Sequence, residues 1–278
     1  MNKSVMLFIP AYMCEKQIVR VLNSLNNEDI SSLFVEIVVI ENISPDNTLN
    51  VTIEKAKQLA NLNITVIQND ENYSLGGSHK VAFNYFLEKG YDYLVVLHGD
   101  DQGDIKDIVP VLSKLQRTSF DTLLGARFHR QSKLIGYSNF RIFGNHVLNF
   151  YLSLMSFHRV LDMGSGLNLY SKEFLKNKFY LPFPNDLTFN ISMLLYTFKV
   201  KARYQFFPLT WKEDDQISNA KIFKQAIKIA KLGLRYFFNH DCIFKDNNSE
   251  KVYTYKIKYS KQSCNTKDLN ICNGKVIN

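Results

Sequence analysis

Short apolar runs alternate with longer amphipathic stretches through the first half of the chain. The apolar runs predict buried strands at Val5–Ile9, Val35–Ile40, Ile64–Gln68, Tyr93–Leu97 and Thr122–Leu124. Helical spacing of apolar residues predicts helices between them, at about Glu15–Asn26, Asn47–Leu62, Gly76–Lys89 and Ile105–Gln116. Regular strand–helix alternation with short links predicts an α/β domain with right-handed crossovers and a mainly parallel sheet.

The pattern changes after about Gly136. A helix predicted at Ile142–Phe157 is crowded with apolar residues yet too short to span a bilayer, so core packing and an interfacial role both stay open. Further elements are predicted as a strand near Leu167–Tyr170, a helix near Leu187–Thr197, a strand near Val200–Phe206 and a late strand around Tyr253–Tyr259.

A basic stripe marks the predicted helix at Lys221–Phe238. Its cations recur every three or four residues, at Lys221, Lys224, Lys228, Lys231 and Arg235. Such a helix suits an anionic membrane surface, although a solvated charged face on a docked helix has the same pattern. We therefore expect a catalytic domain at 1–215, a basic amphipathic helix at 216–240 and a polar tail at 241–278.

Bulk composition narrows the class of partner. The net charge of +8 and pI of about 9.1 favour an anionic partner, whether nucleic acid, acidic lipid or phosphorylated substrate. The basic residues are not interleaved with stacking aromatics in a recognisable module, which argues against nucleic acid. The four cysteines form no CxxC pair, so a structural zinc is not expected. No signal peptide or membrane span is found in the sequence, which predicts a cytoplasmic protein, peripheral on the cytoplasmic face of the membrane.

Polar and acidic groups collect where the predicted strands end. The run Tyr93–Leu97 leads directly into His98–Asp104, which contains three aspartates. Ligands bind at the carboxyl ends of strands in open α/β sheets, and carboxylates there suit a Mg²⁺ ion that holds phosphates. A solvated acidic loop is the alternative. Pro10–Tyr12, Glu41–Thr48 and Asn72–Lys80 follow other predicted strands, so we expect all four segments to meet at one edge.

The order and spacing of these segments resemble the inverting GT-A glycosyltransferases of the large family 2, which includes dolichol-phosphate-mannose synthase and bacterial polyprenyl-phosphate sugar transferases. Its members carry Pro-Ala-Tyr-Asn-Glu, Asp-Asp-x-Ser-x-Asp-x-Thr, Asn-x-Gly-x-Gly, Asp-x-Asp, Gly-x-Arg, a later Arg and Asp-x-x-Ser-Gly. The matching positions are Pro10–Tyr12 with Glu15, Glu41–Thr48, Asn72–Gly77, His98–Asp100, Gly125–Arg127, Arg141 and Asp162–Gly166. The resemblance covers about residues 5–215. Each motif is weak alone, but their shared order is specific.

The resemblance implies a nucleotide-diphosphate sugar as donor. It places donor-binding residues at Pro10, Ala11, Tyr12, Glu15, Glu41, Asn42, Ser44, Gly76, Gly77, Lys80, Gly99 and Arg127. Lys80 and Arg127 would pair with phosphates, although each is equally compatible with a surface charge. Paired glycines that open a helix let the backbone approach an anion.

The resemblance also implies a divalent cation, Mg²⁺ or Mn²⁺, held by Asp100 with His98 as a second ligand. Asp100, Asp162 and Asp215 are the candidate catalytic acids, while Arg141 and Ser165 would face the acceptor. Arg141 would bind the phosphate of a lipid. Structural alternatives stay open for two of the acids: Asp162 could cap a turn, and Asp215 could stabilise a helix N-terminus.

Four positions depart from the family pattern. Met13 replaces an asparagine, Glu41–Asn42 replaces Asp-Asp, Ser74 replaces a glycine, and His98 replaces the first acid of Asp-x-Asp. The last change implies weaker metal binding, compensation by Asp101, or loss of catalysis.

Two functional hypotheses follow. The leading one is an inverting glycosyltransferase that acts on a polyprenyl-phosphate or lipid-linked saccharide acceptor in cell-surface glycan synthesis, peripheral to an anionic membrane. The alternative is a degenerate family member that binds a nucleotide sugar or serves as a scaffold. A sugar nucleotidyltransferase is disfavoured because the Gly-x-Gly-x-x-Arg loop after the first strand is missing. Homo-oligomer formation stays open.

Overall fold

The computed structural model describes residues 3–59, 61–115, 118–213, 222–241, 244 and 251–261. The strands are β1 (Val5–Ala11), β2 (Glu36–Glu41), β3 (Ile64–Asn69), β4 (Tyr93–Leu97), β5 (Thr122–Ala126), β6 (Lys133–Ile135), β7 (Leu167–Ser171), β8 (Tyr204–Pro208), β9 (Thr210–Lys212) and β10 (Tyr255–Lys261). The helices are α1 (Gln17–Ser24), α2 (Glu28–Ser31), α3 (Thr48–Gln58), α4 (Ser74–Lys89), α5 (Val109–Leu115), α6 (Asn139–Ser156), α7 (Lys172–Leu175), α8 (Phe189–Lys199) and α9 (Ile222–Phe238).

One eight-stranded sheet organises the molecule, in the order β10-β3-β2-β1-β4-β7-β5-β8. The pairs β3-β2, β2-β1, β1-β4 and β5-β8 are parallel, whereas β7 runs antiparallel to both of its neighbours and β10 runs antiparallel to β3. The mainly parallel α/β fold is therefore confirmed. Strands β6 and β9 pair in a small second sheet.

Both faces of the main sheet are covered, as the continuous apolar runs predict. Along β1, Leu7 faces a core shared with Ile18 of α1, while Phe8 faces a second core shared with Phe83 of α4 and Leu195 of α8. The alternation of side chains along a strand thus divides one apolar run between two layers. Motif residues at the strand ends are held by elements that are buried on both sides.

The predicted helices and strands differ from the structure mainly at their ends. The predicted helix at Ile105–Gln116 begins as a 3₁₀ turn, Ile105–Ile108, before α5. The strand predicted from Val200 begins only at Tyr204, because Val200 caps α8 and Lys201 has a left-handed backbone with φ of 52°.

The late strand predicted around Tyr253–Tyr259, inside the predicted polar tail at 241–278, is confirmed. Tyr255–Lys261 forms β10, an edge strand that pairs with β3. Its residues are largely exposed, so the alternating pattern predicts the strand, but only the long-range backbone pairing shows where it lies in the sheet.

Helices α6 and α9 lie side by side. Tyr151 of α6 donates a hydrogen bond to the carbonyl of Ala230 at 2.7 Å, and its ring covers Gly233 so closely that a Cβ there would lie 2.7 Å away. Ile229, Leu232 and Tyr236 bury one side of α9. Lys221 of the predicted basic stripe lies outside the described residues. Within the described parts of the chain, no helix has the length and apolarity to cross a membrane.

Candidate active site

A cleft of about 520 Å³ opens at the carboxyl ends of β1, β2 and β4. It is lined by Pro10, Ala11, Tyr12, Cys14, Asn42, Asn72, Ser74, Leu75, Ser78, His98, Gly99, Asp100, Gln102, Arg141, Asp186 and Leu187. The predicted meeting of Pro10–Tyr12, Asn42, the Asn72 segment and the His98 segment is thus confirmed. A parallel sheet produces this meeting because its strand ends share one edge.

Glu41 shapes the wall of the cleft and does not line it. Its buried carboxylate accepts hydrogen bonds from the backbone N–H of Ile43 at 3.2 Å and of Ser44 at 2.5 Å, and from Gln68 at 2.9 Å. Ser44 in turn accepts from the N–H of Met13 at 3.1 Å. These bonds make the loop after β2 and the loop after β1 one unit.

Glu15 has a similar indirect role. Its carboxylate accepts from the backbone N–H of Asn47 at 3.1 Å, one residue before α3 begins. It therefore joins the loop after β1 to the start of α3. The structure places Glu15, Glu41 and Ser44 around the cleft as supports for the residues that line it.

A cluster of three amides, with Asn42 and Asn69 buried and Asn72 exposed, lies at one wall of the cleft. Asn42 donates to the side-chain oxygen of Asn72 at 2.9 Å and accepts from Asn69 at 2.8 Å and from the N–H of Tyr73 at 2.9 Å. Asn69 also donates to Ser78 at 3.0 Å. Asn69, Asn72 and Ser78 are not among the predicted site residues. Asn72 opens the match to Asn-x-Gly-x-Gly and Ser78 lies in the predicted Asn72–Lys80 segment, while the only sequence signal for Asn69 is its place at the end of β3.

The paired glycines do not form an anion-binding loop in this structure, contrary to the prediction. The N–H of Gly76 is occupied by the carbonyl of Asn185 at 2.6 Å. A Cβ at Gly76 would lie 2.6 Å from the carbonyl oxygen of Pro184, and one at Gly77 would lie 2.3 Å from Cβ of Tyr73. Both glycines allow the start of α4 to pack closely against neighbouring segments of the same polypeptide.

Lys80 is also placed differently from the prediction. Its ammonium is completely buried and donates to the carbonyl of Phe183 at 2.5 Å, to Asn185 at 2.8 Å and to the hydroxyl of Tyr253 at 3.1 Å. Burial lowers the pKa of Lys80 to about 8, with a smaller contribution from Lys251. Lys80 thus ties α4 to the 183–185 loop and to the C-terminal segment, away from any phosphate in the cleft.

Asp100 is the acid that the β4 strand delivers to the cleft. It accepts from the N–H of Gln102 at 3.2 Å, and burial raises its pKa to about 6. Gly99 allows the close approach, since its N–H donates to the carbonyl of Pro10 at 3.1 Å and a Cβ would lie 2.9 Å from that oxygen. Asp101 has a φ of 61° and pairs with Arg20 at 2.5 Å, and it is not among the residues that line the cleft.

His98 adds a neutral imidazole to the same wall. Burial, followed by the charge of Arg127, lowers its pKa to about 4. The Nε2 atom of His98 is buried and finds no hydrogen-bond partner among the described residues. Its ring lies against Gly166, where a Cβ would come within 2.8 Å.

Arg127 and Asp162, predicted for donor phosphate and for catalysis, are bonded to each other. Arg127 donates to Asp162 through Nε at 2.7 Å and through Nη2 at 2.8 Å, and its backbone N–H adds a third bond at 2.8 Å. Their side chains are 10% and 0% exposed. Burial lowers the pKa of Arg127, but the Asp162 carboxylate outweighs it and the net shift is upward. The pair fastens the segment after β5 to the Asp162–Gly166 segment.

Of the remaining predicted residues, one lines the cleft, one lies behind it and one lies outside the described residues. Ser165 is buried and donates to the carbonyl of Leu167 at 3.2 Å, so it does not line the cleft. Arg141 lines the cleft from α6 and pairs with Glu213 at 2.6 Å. Asp215 lies outside the described residues. Asp186, which also lines the cleft, pairs with Lys228 of α9 at 2.5 Å.

The sequence matches the profile of Glycosyl transferase family 2 over residues 6–179. This chain belongs to family 2. This membership confirms the resemblance that the order of the motifs indicates. The GT-A fold is confirmed by similar solved structures. Glucosyl-3-phosphoglycerate synthase from Mycobacterium tuberculosis, in complex with Mn²⁺, UDP and phosphoglyceric acid, is 13% identical with a TM-score of 0.63, over 95% of this chain and 89% of that chain.

Two archaeal relatives have higher sequence identity. An uncharacterised protein of Methanocaldococcus jannaschii is 29% identical over 61% of this family 2 chain and 72% of its own length. The UDP-N-acetylglucosamine–dolichyl-phosphate N-acetylglucosaminyltransferase of Methanococcus voltae is also 29% identical, over 63% of this chain and 72% of its own.

The family 2 site fits a divalent cation on its own chemistry. The described residues contain no cluster of three or more metal-binding side chains. They do offer the Asp100 carboxylate at the cleft and the unpartnered Nε2 of His98. A Mg²⁺-type ion accepts few protein ligands when substrate phosphate oxygens complete its shell. The donor set therefore suits a cation that arrives with a diphosphate.

Proposed function

We propose that this family 2 glycosyltransferase moves a sugar from a nucleotide-diphosphate donor to a lipid-linked phosphate acceptor, with inversion, at the cytoplasmic face of a membrane in cell-surface glycan synthesis. The observation that carries the proposal is the position of Arg141. It lines the cleft, and it belongs to α6, a helix with a row of exposed apolar side chains. A lipid phosphate has an anionic group that Arg141 can bind and an apolar chain that the exposed side chains of α6 can contact.

The relatives support this donor and acceptor. The Methanococcus voltae relative is named for transfer from UDP-N-acetylglucosamine to dolichyl phosphate. The mycobacterial synthase has been crystallised with UDP-glucose and Mn²⁺. We therefore propose a UDP-sugar first, with Pro10–Tyr12, Asn42 and Asn72 at the nucleoside end of the cleft, where amide and backbone groups can hydrogen-bond the base and ribose.

Asp100, with His98 beside it, would hold the cation. When bound, the cation would neutralise negative charge that builds on the leaving diphosphate. Asp100 would position it, and the half-buried His98 would lie beside it. Asp162 and Arg127 would hold the wall behind them in place, as positioning residues that act through the shape of the site.

The acceptor chemistry favours a phosphate over a sugar hydroxyl. In the transfer, an acceptor oxygen bonds to the anomeric carbon while the bond from that carbon to the diphosphate oxygen breaks, and the nucleoside diphosphate leaves. A hydroxyl must lose its proton to a base, but a phosphate is already anionic. Asp162 is held by Arg127, and among the described lining residues the carboxylates are Asp100 and Asp186, the latter paired with Lys228. A lipid-linked glycan with a free hydroxyl remains the runner-up.

The first test is thermal stabilisation of the purified protein by UDP-, GDP- and dTDP-sugars with and without Mn²⁺ or Mg²⁺. A metal-dependent shift that grows as the ligand exceeds its dissociation constant would identify the donor. Turnover is then measured with a short-chain polyprenyl phosphate and with a free saccharide. Transfer to the saccharide alone would overturn the proposed acceptor.

Asp100→Asn tests the site itself. Because the variant removes the charge that would hold the cation, we expect turnover to fall by at least about a hundredfold and the metal-dependent thermal shift to disappear. Asp104→Asn, in the same loop, is the control and should retain both. Near-normal turnover of Asp100→Asn would remove Asp100 from the site.

A degenerate nucleotide-sugar-binding protein is the second candidate. It is favoured by His98 in place of an acid and by the pairing of Asp162 with Arg127. Stabilisation by a nucleotide sugar, with no turnover on either acceptor when Mn²⁺ is supplied, would select this candidate.

A further inference from the structure

Helix α6 presents a continuous row of large apolar side chains to solvent. Phe140, Phe143, Val147, Phe150, Leu154 and Phe157 follow one another at intervals of three and four residues, and their exposed fractions are between 49% and 75%. The row extends over about 27 Å of helix. Exposed apolar patches on this scale mark interaction surfaces. The opposite side of α6, with Asn149, Leu152 and Ser156, is buried.

Helix α9 continues this surface. It runs beside α6 in the same direction, since Tyr151 bonds to Ala230 and the ring of Phe157 lies 5.9 Å from that of Phe237. Its outer side mixes exposed Ile227, Leu234 and Phe238 with exposed lysines. We call the exposed sides of α6 and α9 together the α6–α9 face.

The charge of the α6–α9 face has one sign. Neither helix contains an aspartate or glutamate, whereas α9 carries Lys224, Lys228, Lys231 and Arg235. Next to α6, a groove lined by Phe150 and Phe157 is bordered by His158 and exposed Arg159. Phenylalanines among cations, without acids, are typical of helices that lie in an anionic membrane interface. Protein partners and second copies usually meet charges of both signs.

The face also adjoins the cleft. Arg141, near the start of α6, lines the cleft, and Lys228 of α9 bonds to Asp186 on the cleft rim. A surface bound to the α6–α9 face would therefore lie at the mouth of the cleft.

We propose that the α6–α9 face docks the protein on an anionic lipid bilayer, with the α6 row inserted among the lipid headgroups and the lysines of α9 on acidic phosphates. This inference deepens the proposed function and rests on it only for the identity of the acceptor. It assigns α6, more than the basic helix α9, as the inserting element.

Vesicle sedimentation tests the docking. The intact protein should sediment with phosphatidylcholine–phosphatidylglycerol vesicles and much less with phosphatidylcholine alone. Phe143→Ser with Phe150→Ser should lower the partition coefficient about a hundredfold, from the lost burial of two rings. Lys224→Gln with Lys231→Gln should lower it about thirtyfold. All four side chains are exposed, so we expect these variants to fold like the parent protein.

Matched controls separate the face from bulk polarity and charge. Val252→Ser with Ile257→Ser changes two exposed apolar residues on another part of the chain, and Lys256→Gln with Lys258→Gln removes two charges there. Both controls should sediment like the parent protein. Equal loss in the controls and in the α6–α9 variants would overturn the proposal.

A tryptophan probe tests insertion directly. Trp211 is the single tryptophan and is 4% exposed, so it gives a constant background. Emission from Phe150→Trp should shift to the blue with anionic vesicles and be quenched by brominated lipids, whereas Val252→Trp should not respond. A blue shift without lipid, accompanied by dimer formation in sedimentation velocity, would assign the face to a second copy. Unchanged emission from vesicle-bound Phe150→Trp would also overturn insertion.

Turnover on a short-chain, water-soluble polyprenyl phosphate distinguishes the two proposals. Loss of vesicle binding with that turnover retained is expected for the face variants. Vesicle binding by a parent protein that lacks turnover would overturn the proposed function and support the docking face. If the parent protein catalyses transfer but does not bind anionic vesicles, the docking proposal alone is overturned.

Discussion

At the scale of single residues, the rim of the cleft stores backbone strain. Residues beside or in the cleft wall have positive φ without being glycine: Met13 (49°), Ile43 (56°), Ser74 (58°) and Asp101 (61°). Each costs about 1–2 kcal/mol for an L-residue, and such strain tends to accumulate at functional sites. The hydrogen bonds of Glu41 and Asn42 hold the surrounding loops in these conformations.

Ser74 offers a test of this strain. Ser74→Gly should raise the free energy of unfolding by about 0.5–1 kcal/mol, because the relief of strain exceeds the added freedom of the unfolded chain. Urea unfolding measures it. Ser138→Gly is the control, since Ser138 has a φ of −61° and makes no capping bond, and it should not stabilise. No gain from Ser74→Gly would contradict the assignment of strain.

The lowered pKa of Lys80 leads us to expect that the free energy of unfolding depends on pH. Its pKa is about 8 in the folded protein and near its ordinary value of 10.5 when unfolded. Between these values the unfolded chain binds the extra proton, so the free energy of unfolding rises with pH, by up to about 3 kcal/mol. The free energy of unfolding of the parent minus that of Lys80→Met should increase over that pH range and be constant below it. A constant gap throughout, like that of exposed Lys89→Met, would contradict the low pKa.

At the level of elements, β10 and the two residues before it support one wall of the cleft from the far end of the chain. The carbonyl of Thr254 accepts from the N–H of Asp70 at 3.1 Å and from the hydroxyl of Tyr73 at 3.2 Å. Tyr253 bonds to Lys80 and Asn185. The C-terminal segment thus holds the Asn72–Ser74 side of the cleft and the loop that leads to Asp186.

Truncation tests this role of β10. A chain ending at Glu250 should lose thermal stability, because β3 becomes an open edge and Lys80 loses a partner. It should also bind nucleotide sugar at least about tenfold more weakly, as measured by calorimetry. A chain ending at Lys261 retains β10 and should bind like the parent protein. Equal affinity for both chains would show that β10 does not support the cleft.

At the scale of the whole molecule, Arg141 connects the cleft to the α6–α9 face. Arg141→Ala should raise KM for a short-chain lipid phosphate about tenfold to a hundredfold, the effect of one charge-assisted hydrogen bond. Affinity for the nucleotide sugar should not change. Arg159→Ala, exposed and outside the cleft, should leave KM unchanged. A weaker nucleotide affinity in Arg141→Ala would move Arg141 to the donor side.

The α/β layers and the meeting of the motifs at one sheet edge follow from the amino-acid sequence alone. Strands β1 to β5 are buried runs, so their apolar residues identify them to within a few residues. Strands β6 and β9 are three residues each and lack that signal, whereas the largely exposed β10 is predicted from its alternation alone.

Only the tertiary structure decided which polar side chains pair. Lys80 and Tyr253 meet across 173 positions of sequence, and Arg127 and Asp162 across 35. A motif shows that a charged residue is present at a strand end, but whether it faces a ligand depends on which distant groups can satisfy it. Burial makes an unpaired charge costly, so Lys80, Arg127 and Asp162 pair within the protein. Asp100 and Arg141 line the cleft, and Arg141 does so while paired with Glu213.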